Sequence, residues 1–135
     1  MKRSGFKPRA VPMDRGTGFL RRATRLKSRC RPPTKIRESA RGEECTIRLP
    51  GVCNFNRETT VLCHSNQLSD GKGMGLKAPD HCAAYGCSAC HDVVDGRAPR
   101  PEGMSYALML AYFKEGIAQT QRILRRNGLL KSEEV

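Results

Sequence analysis

Four cysteines have the spacing of ligands for one structural zinc ion. Cys45 and Cys53 form a first pair, and Cys87 and Cys90 form a CxxC pair further along the chain. A CxxC turn places two thiolates along one edge of a tetrahedron, and a second pair from a neighbouring loop completes it. Four thiolates leave the ion no open coordination position. We therefore expect a zinc ion that stabilises the fold and takes no part in catalysis.

Other uses of these residues stay open in the sequence. His81 or Cys82 could replace one of the four ligands. The string CSACH over residues 87–91 also matches the attachment motif of c-type haem. Haem attachment takes place outside the cytoplasm, the N-terminus MKRSGFKPRAVP shows no export signal, and a haem would leave the first cysteine pair unexplained. The odd count of seven cysteines favours metal-binding thiolates in a reducing cytoplasm over a disulfide framework.

Two histidines and nearby carboxylates have the residue types of a metal-dependent phosphodiesterase. His64 ends a predicted strand, and an imidazole that is unprotonated near neutral pH suits a general base. His91 and Asp95 lie one helical turn apart, so they present an imidazole and a carboxylate on one helix face, where a divalent metal can bind. We predict His64, His91, Asp80 and Asp95 as the catalytic set. Asp92 is a further candidate.

These residues are expected to lie on a strand, loop, strand and helix, which is the order of a ββα-metal nuclease site. TTVLCH predicts a strand ending at His64, and HCAAYG predicts a second short strand. Residues 88–95 predict a helix with Ser88 as its N-cap. CTIRLP predicts a further strand before the turn at Pro50-Gly51.

The loop SDGKGMGLKAPD between the two strands is rich in glycine. It lacks the pattern GxxxxGK[ST] of a nucleotide-binding loop. A flexible loop whose backbone approaches DNA phosphates and an inert connector are equally compatible with it.

A long helix is predicted from about residue 105 to 127, ending before Gly128. Leu110, Phe113, Ile117 and Leu124 recur at helical spacing, with Gln121 as one interruption. This apolar stripe is expected to pack in the core.

The positive charge of the chain is concentrated at one end. Residues 1–41 hold fourteen Lys and Arg against Asp14 and Glu38, a net charge of +12, whereas residues 42–135 hold eleven of each sign. The segment also contains four prolines, so residues 1–35 are predicted to form a disordered basic arm. Because it has no amphipathic apolar face, DNA is the expected partner rather than a membrane. A solubilising tail is the alternative.

Three blocks resemble a known family: ARGEECTIRLPGVCNFNRETTVLCH, then GMGLKAPD, then CSACHDVVDGR. In order and spacing they look like the phage and prophage HNH-type nucleases that include YbcO and the RecA-dependent nuclease Ref. The resemblance covers about residues 39–97 and does not extend to the arm. It implies a zinc-bound ββα-metal core (HNH, His-Me finger), Mg²⁺ or Mn²⁺ as the catalytic metal, and DNA cleavage in recombination or prophage life.

Carried onto this sequence, the family's general base falls on His64 and its closing histidine, a ligand of the catalytic metal, falls on His91. The zinc ligands fall on the four cysteines chosen above. For the middle asparagine of HNH motifs, Asp80 is the candidate, since Asn66 lies too close to the base for the usual layout. The aspartate that often precedes the base is here Cys63. If Ref is the nearer relative, a recombinase filament is a further partner.

The expected architecture is one small α+β domain over residues 36–135, preceded by the arm. With no Trp and 5% aromatic residues, a chain of 135 residues has little apolar material for a core, which is why a zinc staple is expected. The expected function is metal-dependent DNA cleavage. The rival is a non-catalytic, zinc-stapled DNA-binding or recombination-accessory protein, which needs the same arm and the same cysteines.

Overall fold

A computed structural model describes residues 32–131 of the chain. Residues 1–31, which include most of the predicted arm and Cys30, lie outside the described residues, as do residues 132–135. The helices and strands are α1 (Lys35–Ser39), β1 (Val61–His64), β2 (Ala83–Gly86), α2 (Ser88–Val94) and α3 (Tyr106–Arg126). Short 3₁₀ turns lie at Arg57–Thr59, Leu68–Asp70 and Asp80–Cys82. No helix in the described part of the chain is long and apolar enough to cross a membrane.

The two strands form an antiparallel sheet in which Val61 pairs with Gly86 and His64 pairs with Ala83. Every residue of β2 is buried. A strand that is covered on both faces reads as a continuous run of small and apolar residues, as AAYG does. The predicted two-stranded unit is confirmed, and it places His64 at the end of β1.

The long C-terminal helix α3 covers one face of this sheet. Ser105 caps it by accepting a hydrogen bond from the backbone N–H of Leu108 at 3.1 Å. Its buried face consists of Met109, Phe113, Gly116, Thr120 and Leu124. The predicted long helix is confirmed, but its buried stripe is rotated from the predicted one, since Leu110 and Ile117 are only partly buried.

Two contacts explain the rotation of α3. The Thr120 hydroxyl accepts a hydrogen bond from the buried backbone N–H of Tyr85 at 3.0 Å, so a polar residue lies at the centre of the interface. Gly116 lies against the backbone of Ile47, where an added Cβ would come within 3.1 Å of the Ile47 Cα. The buried face of α3 is therefore determined by a close backbone approach at Gly116 and a buried hydrogen bond at Thr120. Neither residue is a large apolar one, so the apolar pattern of the sequence does not reveal this face.

The predicted strand at CTIRLP is wrong. Residues 45–50 have irregular backbone, and Arg48 has a φ of 45°, which ends any extended run. The Arg48 side chain folds back and donates to the Cys45 carbonyl at 3.0 Å. Ile47 and Leu49 are nevertheless buried, so the apolar alternation reports burial without a strand.

Candidate functional site

The four predicted zinc ligands converge in the structure. The Sγ atoms of Cys45, Cys53, Cys87 and Cys90 all lie within 4.8 Å of one another, and the Cys53 and Cys87 sulfurs are 3.8 Å apart. All but Cys53 are buried. The grouping fits a single tetrahedral ion, so the cluster could hold a metal. Within residues 32–131, neither His81 nor Cys82 belongs to this group of converging donor atoms.

Local structure brings the two cysteine pairs together. The backbone N–H of Cys53 donates to the Leu49 carbonyl at 3.0 Å, which closes the turn between the first two cysteines. Cys87 is the N-cap of α2, one residue before the predicted cap, and Cys90 lies in the first turn of that helix. The second pair therefore fixes the start of the helix that carries His91.

The electrostatics of the cluster favour a bound cation. The Cys90 thiol hydrogen-bonds to Cys45 and lowers the Cys45 pKa to about 4, while the same contact, together with burial, raises the pKa of Cys90. Burial raises the pKa of Cys53 to about 11. Four thiolates at these separations require a cation between them.

His64 and Asp80 form a largely buried pair. The His64 Nε2 lies 2.8 Å from Asp80 Oδ1, and their side chains are 13% and 17% exposed. Thr34 donates to the other oxygen of Asp80 at 2.5 Å, and the Arg37 Nε lies 3.3 Å from Oδ1. Burial raises the pKa of Asp80, but the hydrogen bonds from Thr34 and His64 and the charge of Arg37 outweigh it and hold that pKa below its ordinary value.

This pair determines which nitrogen of His64 is free. An ionised carboxylate can only accept a hydrogen bond, so the Nε2 of His64 must carry the proton. In the neutral ring the lone pair then lies on Nδ1. The Nδ1 of His64 is therefore available as a proton acceptor at the end of β1.

A second group of possible ligands lies between β1 and α2. Donor atoms of Cys63, His91 and Asp95 lie within 4.8 Å of one another, with the His91 Nε2 3.3 Å from Asp95 Oδ2. Cys63 is fully buried, and burial raises the pKa of its thiol. Burial also lowers the pKa of His91, so a neutral imidazole is favoured there. Asp92 is not in this group and pairs with Arg97.

Gly86 makes room for this second group. A Cβ at position 86 would lie 3.2 Å from the Cys63 Cβ and 2.9 Å from Ile47 Cδ1. Because β2 has no side chain at this point, β1 and α2 can bring Cys63 and His91 together.

Several residues that the sequence did not suggest hold Asp95 in place. Asn66 donates to Asp95 Oδ1 at 2.9 Å and itself accepts from the Lys72 ammonium. Arg97 donates to Asp95 Oδ2 at 2.6 Å and lies 3.4 Å from the His91 Nδ1. The usual motif layout disfavours Asn66, because it follows His64 too closely. Its link to Asp95 spans 29 residues and has no local sequence signal.

One cleft of about 590 Å³ joins the two groups, because His64, His91 and Asp95 all line it. Its other charged lining residues are mostly basic: Arg37, Arg41, Lys72, Lys77 and Arg97, with Glu38. The cleft therefore combines a proton acceptor, a possible metal site and an excess of positive charge. An anionic, phosphate-containing ligand suits it.

A family model described as "Putative nuclease YbcO" matches residues 34–129. The chain belongs to this family. It is 45% identical over 97 residues to the "Putative nuclease YbcO" of Escherichia coli (strain K12), which covers 72% of this chain and 97% of that protein. The corresponding protein of Enterobacteria phage 82 matches to the same extent.

A solved structure from Escherichia coli K-12, described as "a putative bacteriophage protein", is also similar. It is 38% identical, covers 70% of this chain and 100% of that one, and superposes with a TM-score of 0.56. The resemblance to phage and prophage nucleases is thereby confirmed. The family match begins at residue 34, so it includes α1 and its contacts with Asp80.

Proposed function

We propose that this YbcO-family protein is a metal-dependent DNA endonuclease of the HNH type that acts in phage recombination. The observation that carries the proposal is that His64, His91 and Asp95 line one basic cleft. A phosphodiester bound there would meet a proton acceptor and a metal site together, which are the two requirements for its hydrolysis.

His64 is the proposed general base. The attacking water gives its proton to the Nδ1 of His64 as its oxygen attacks phosphorus, and the bond from phosphorus to the leaving oxygen breaks. Asp80 accepts the hydrogen bond from Nε2 and stabilises the imidazolium that forms. Asp80, which the sequence suggested as a catalytic residue, is therefore proposed as a positioning residue.

His91 and Asp95 are the proposed ligands of the catalytic metal, Mg²⁺ or Mn²⁺. A neutral imidazole and a carboxylate next to each other fit a divalent cation. A cation bound there supplies positive charge that stabilises the transition state at the phosphate. Asn66 and Arg97 keep the Asp95 carboxylate next to the ring of His91.

The zinc ion is proposed to have a structural role at the four cysteines. Cys87 is the N-cap of α2, and Cys90 and His91 lie in its first turn. A zinc ion at the cysteines would therefore fix the orientation of His91 without contacting DNA. The ion ties this helix to the turn between Cys45 and Cys53.

Residues 1–41 are the proposed DNA clamp, with a recombinase filament as a further partner in the cytoplasm. Their charge supports phosphate contacts that are independent of sequence. Arg37 and Arg41 belong to this segment and line the cleft, so the clamp would continue into the site.

The test is cleavage of plasmid DNA by the purified zinc-bound protein with added Mg²⁺ or Mn²⁺, with and without a recombinase filament. His64→Ala should lower the rate by about 100- to 10,000-fold, the usual contribution of a general base. His81→Ala is the matched control, because His81 does not line the cleft. Gln121 contacts its backbone carbonyl, which the substitution keeps. This control should cleave at the wild-type rate.

Two results would contradict the proposal. Wild-type cleavage by a nuclease-free His64→Ala preparation would remove His64 from the mechanism. DNA binding without cleavage under every metal condition, with or without the filament, would favour the non-catalytic DNA-binding rival.

A further inference from the structure

The glycine-rich loop carries an apolar side chain that has no place in the core. Met74 is fully exposed, at 103% of its reference area, and Leu76 is 67% exposed. Leu76 leans on Gly73, since an added Cβ there would lie 3.6 Å from its Cδ1. Met74 is therefore the apolar residue at the tip of this loop that the fold itself does not use.

The backbone presents Met74 at the end of a tight hairpin. The N–H of Gly73 donates to the Leu76 carbonyl at 3.3 Å, and the N–H of Leu76 donates back at 3.1 Å. Gly75 has a φ of 72°, which closes the turn at low cost because glycine lacks a Cβ. These two bonds hold the tip in a defined shape.

The hairpin is anchored beside the cleft. Lys72 and Lys77 flank the tip and both line the cleft that contains His64 and His91. The Lys72 ammonium donates to Asn66, which donates to Asp95. Since adjacent Cα atoms are about 3.8 Å apart, Met74 lies within about 8 Å of Lys72 along the backbone. Within residues 32–131, neither lysine forms an ion pair with a carboxylate.

We propose that this hairpin, residues 72–77, is a DNA wedge in which Met74 enters the minor groove and inserts between two base pairs. Lys72 and Lys77 would contact the phosphates on either side. The proposal rests on the DNA-binding part of the proposed function and adds a means of deforming the duplex at the cleft.

The chemistry of the tip selects DNA as its occupant. Met74 and Leu76 are exposed between the cationic side chains of Lys72 and Lys77, so the partner that fits this tip offers negative charge around an apolar slot. Stacked base pairs between two phosphate backbones offer both. Met is unbranched and flexible, and it is among the side chains that architectural proteins insert between bases.

The experiment uses the full chain with its zinc, without added Mg²⁺ or Mn²⁺, so that binding is observed in the absence of cleavage. A short duplex carries the fluorescent base 2-aminopurine at successive positions, and its fluorescence rises where a base is unstacked. The wild-type protein should raise the fluorescence at one or two steps.

Met74→Ala should lose most of this rise and weaken binding by about tenfold, as expected when a partly buried thioether is lost whose apolar area is worth about two buried methylene groups. Met74→Leu should retain it. Leu108→Ala is the control, because Leu108 is exposed on α3 and does not line the cleft. Lys77→Ala should reduce the slope of log affinity against log salt by about 0.9 but keep the fluorescence rise.

An unchanged rise in Met74→Ala, or no rise at any position in a bound duplex, would overturn the wedge. A change in oligomeric state on Met74 substitution would also overturn it, since the tip would then contact a second copy. Met74-dependent unstacking without cleavage on adding metal would leave the wedge standing and contradict the proposed nuclease. Absence of any DNA binding would contradict both.

Discussion

Asp80 lies behind the proposed base and determines how the base is protonated. Its carboxylate accepts from His64, Thr34 and Arg37. These contacts keep it ionised at neutral pH, and an ionised oxygen next to Nε2 excludes the tautomer with its proton on Nδ1.

Asp80→Asn should slow DNA cleavage on the order of 100-fold, because an amide can donate to Nε2 and thereby favour the wrong tautomer. The measurement is the single-turnover rate at saturating DNA, together with DNA affinity, which should stay near that of wild type. Asp80→Glu, which keeps the acceptor, should recover part of the rate. Equal loss of rate in both variants would indicate a merely structural role.

The same residue gives a pH dependence of stability. Because the folded-state pKa of Asp80 is lowered, its stabilising contribution is fully present above the ordinary value of 3.8. It is lost as pH falls through the lower folded-state value. The difference in Tm between wild type and Asp80→Asn should therefore be largest near neutral pH and shrink below 3.8.

At the scale of single residues, the sequence pointed to those members of the candidate site that are related by short spacings. The two members of each cysteine pair are close in sequence, so their spacing itself indicates a metal site. His91 and Asp95 are one helical turn apart. The contact of Asp80 with His64 crosses 16 residues, most of them in a loop, so no periodicity reports it. Arg37 and Thr34 were missed for the same reason, and Asn66 was set aside, since only the fold places these residues beside the two carboxylates.

Among the elements, α2 depends most on the cysteine cluster, because its N-cap and first turn supply two of the four sulfurs. With seven residues, α2 is too short to be stable as an isolated helix. A metal ion held by the four cysteines would therefore fix the position of His91 as much as the helix itself does.

Cys90→Ser should remove the zinc and abolish cooperative unfolding, since zinc binding contributes on the order of 10 kcal/mol in small zinc domains. Zinc content by elemental analysis and a thermal melt measure both effects. Cys82→Ser is the matched control, because the Cys82 sulfur is not one of the four that converge. The Cys82→Ser protein should retain its zinc ion. A Cys90→Ser protein with one zinc per chain and a sharp transition would show that the ligands are different.

The predicted elements succeeded where local sequence signals such as caps, turns and residue propensity decide, and failed where tertiary contacts decide. β1, β2, α2 and α3 follow from propensity, caps and turns. The segment from Cys45 to Leu49 has the alternation of a strand, but the left-handed backbone at Arg48 bends it across Gly116 of α3. A turn stabilised by a side chain of its own and by a neighbouring glycine has no signature that distinguishes it from a strand.

For the molecule as a whole, charge is divided between a balanced body and a basic end. Residues 1–31 contain eleven Lys and Arg against Asp14. Thr34 and Arg37 contact Asp80, so a truncation that tests the clamp has to end before Pro32 to leave the site intact.

Removal of residues 1–31 should leave zinc content and the thermal transition unchanged while weakening DNA binding. For every phosphate that the shortened protein no longer neutralises, the slope of log affinity against log salt should fall by about 0.9. Affinity measured at several salt concentrations for both proteins gives the two slopes. Equal slopes would reject this segment as the DNA clamp.

The order of the cysteines along the chain has a consequence for synthesis. Cys53 and Cys87 are 34 residues apart, and His64 lies between them. A ribosome adds about 5–20 residues per second, so for about 1–5 s the nascent chain has its basic segment and its base but only half of the zinc ligands. His91 follows Cys90 directly. In the proposed mechanism, a polypeptide that could damage its host's DNA becomes active only after translation has passed this point and a zinc ion has been captured.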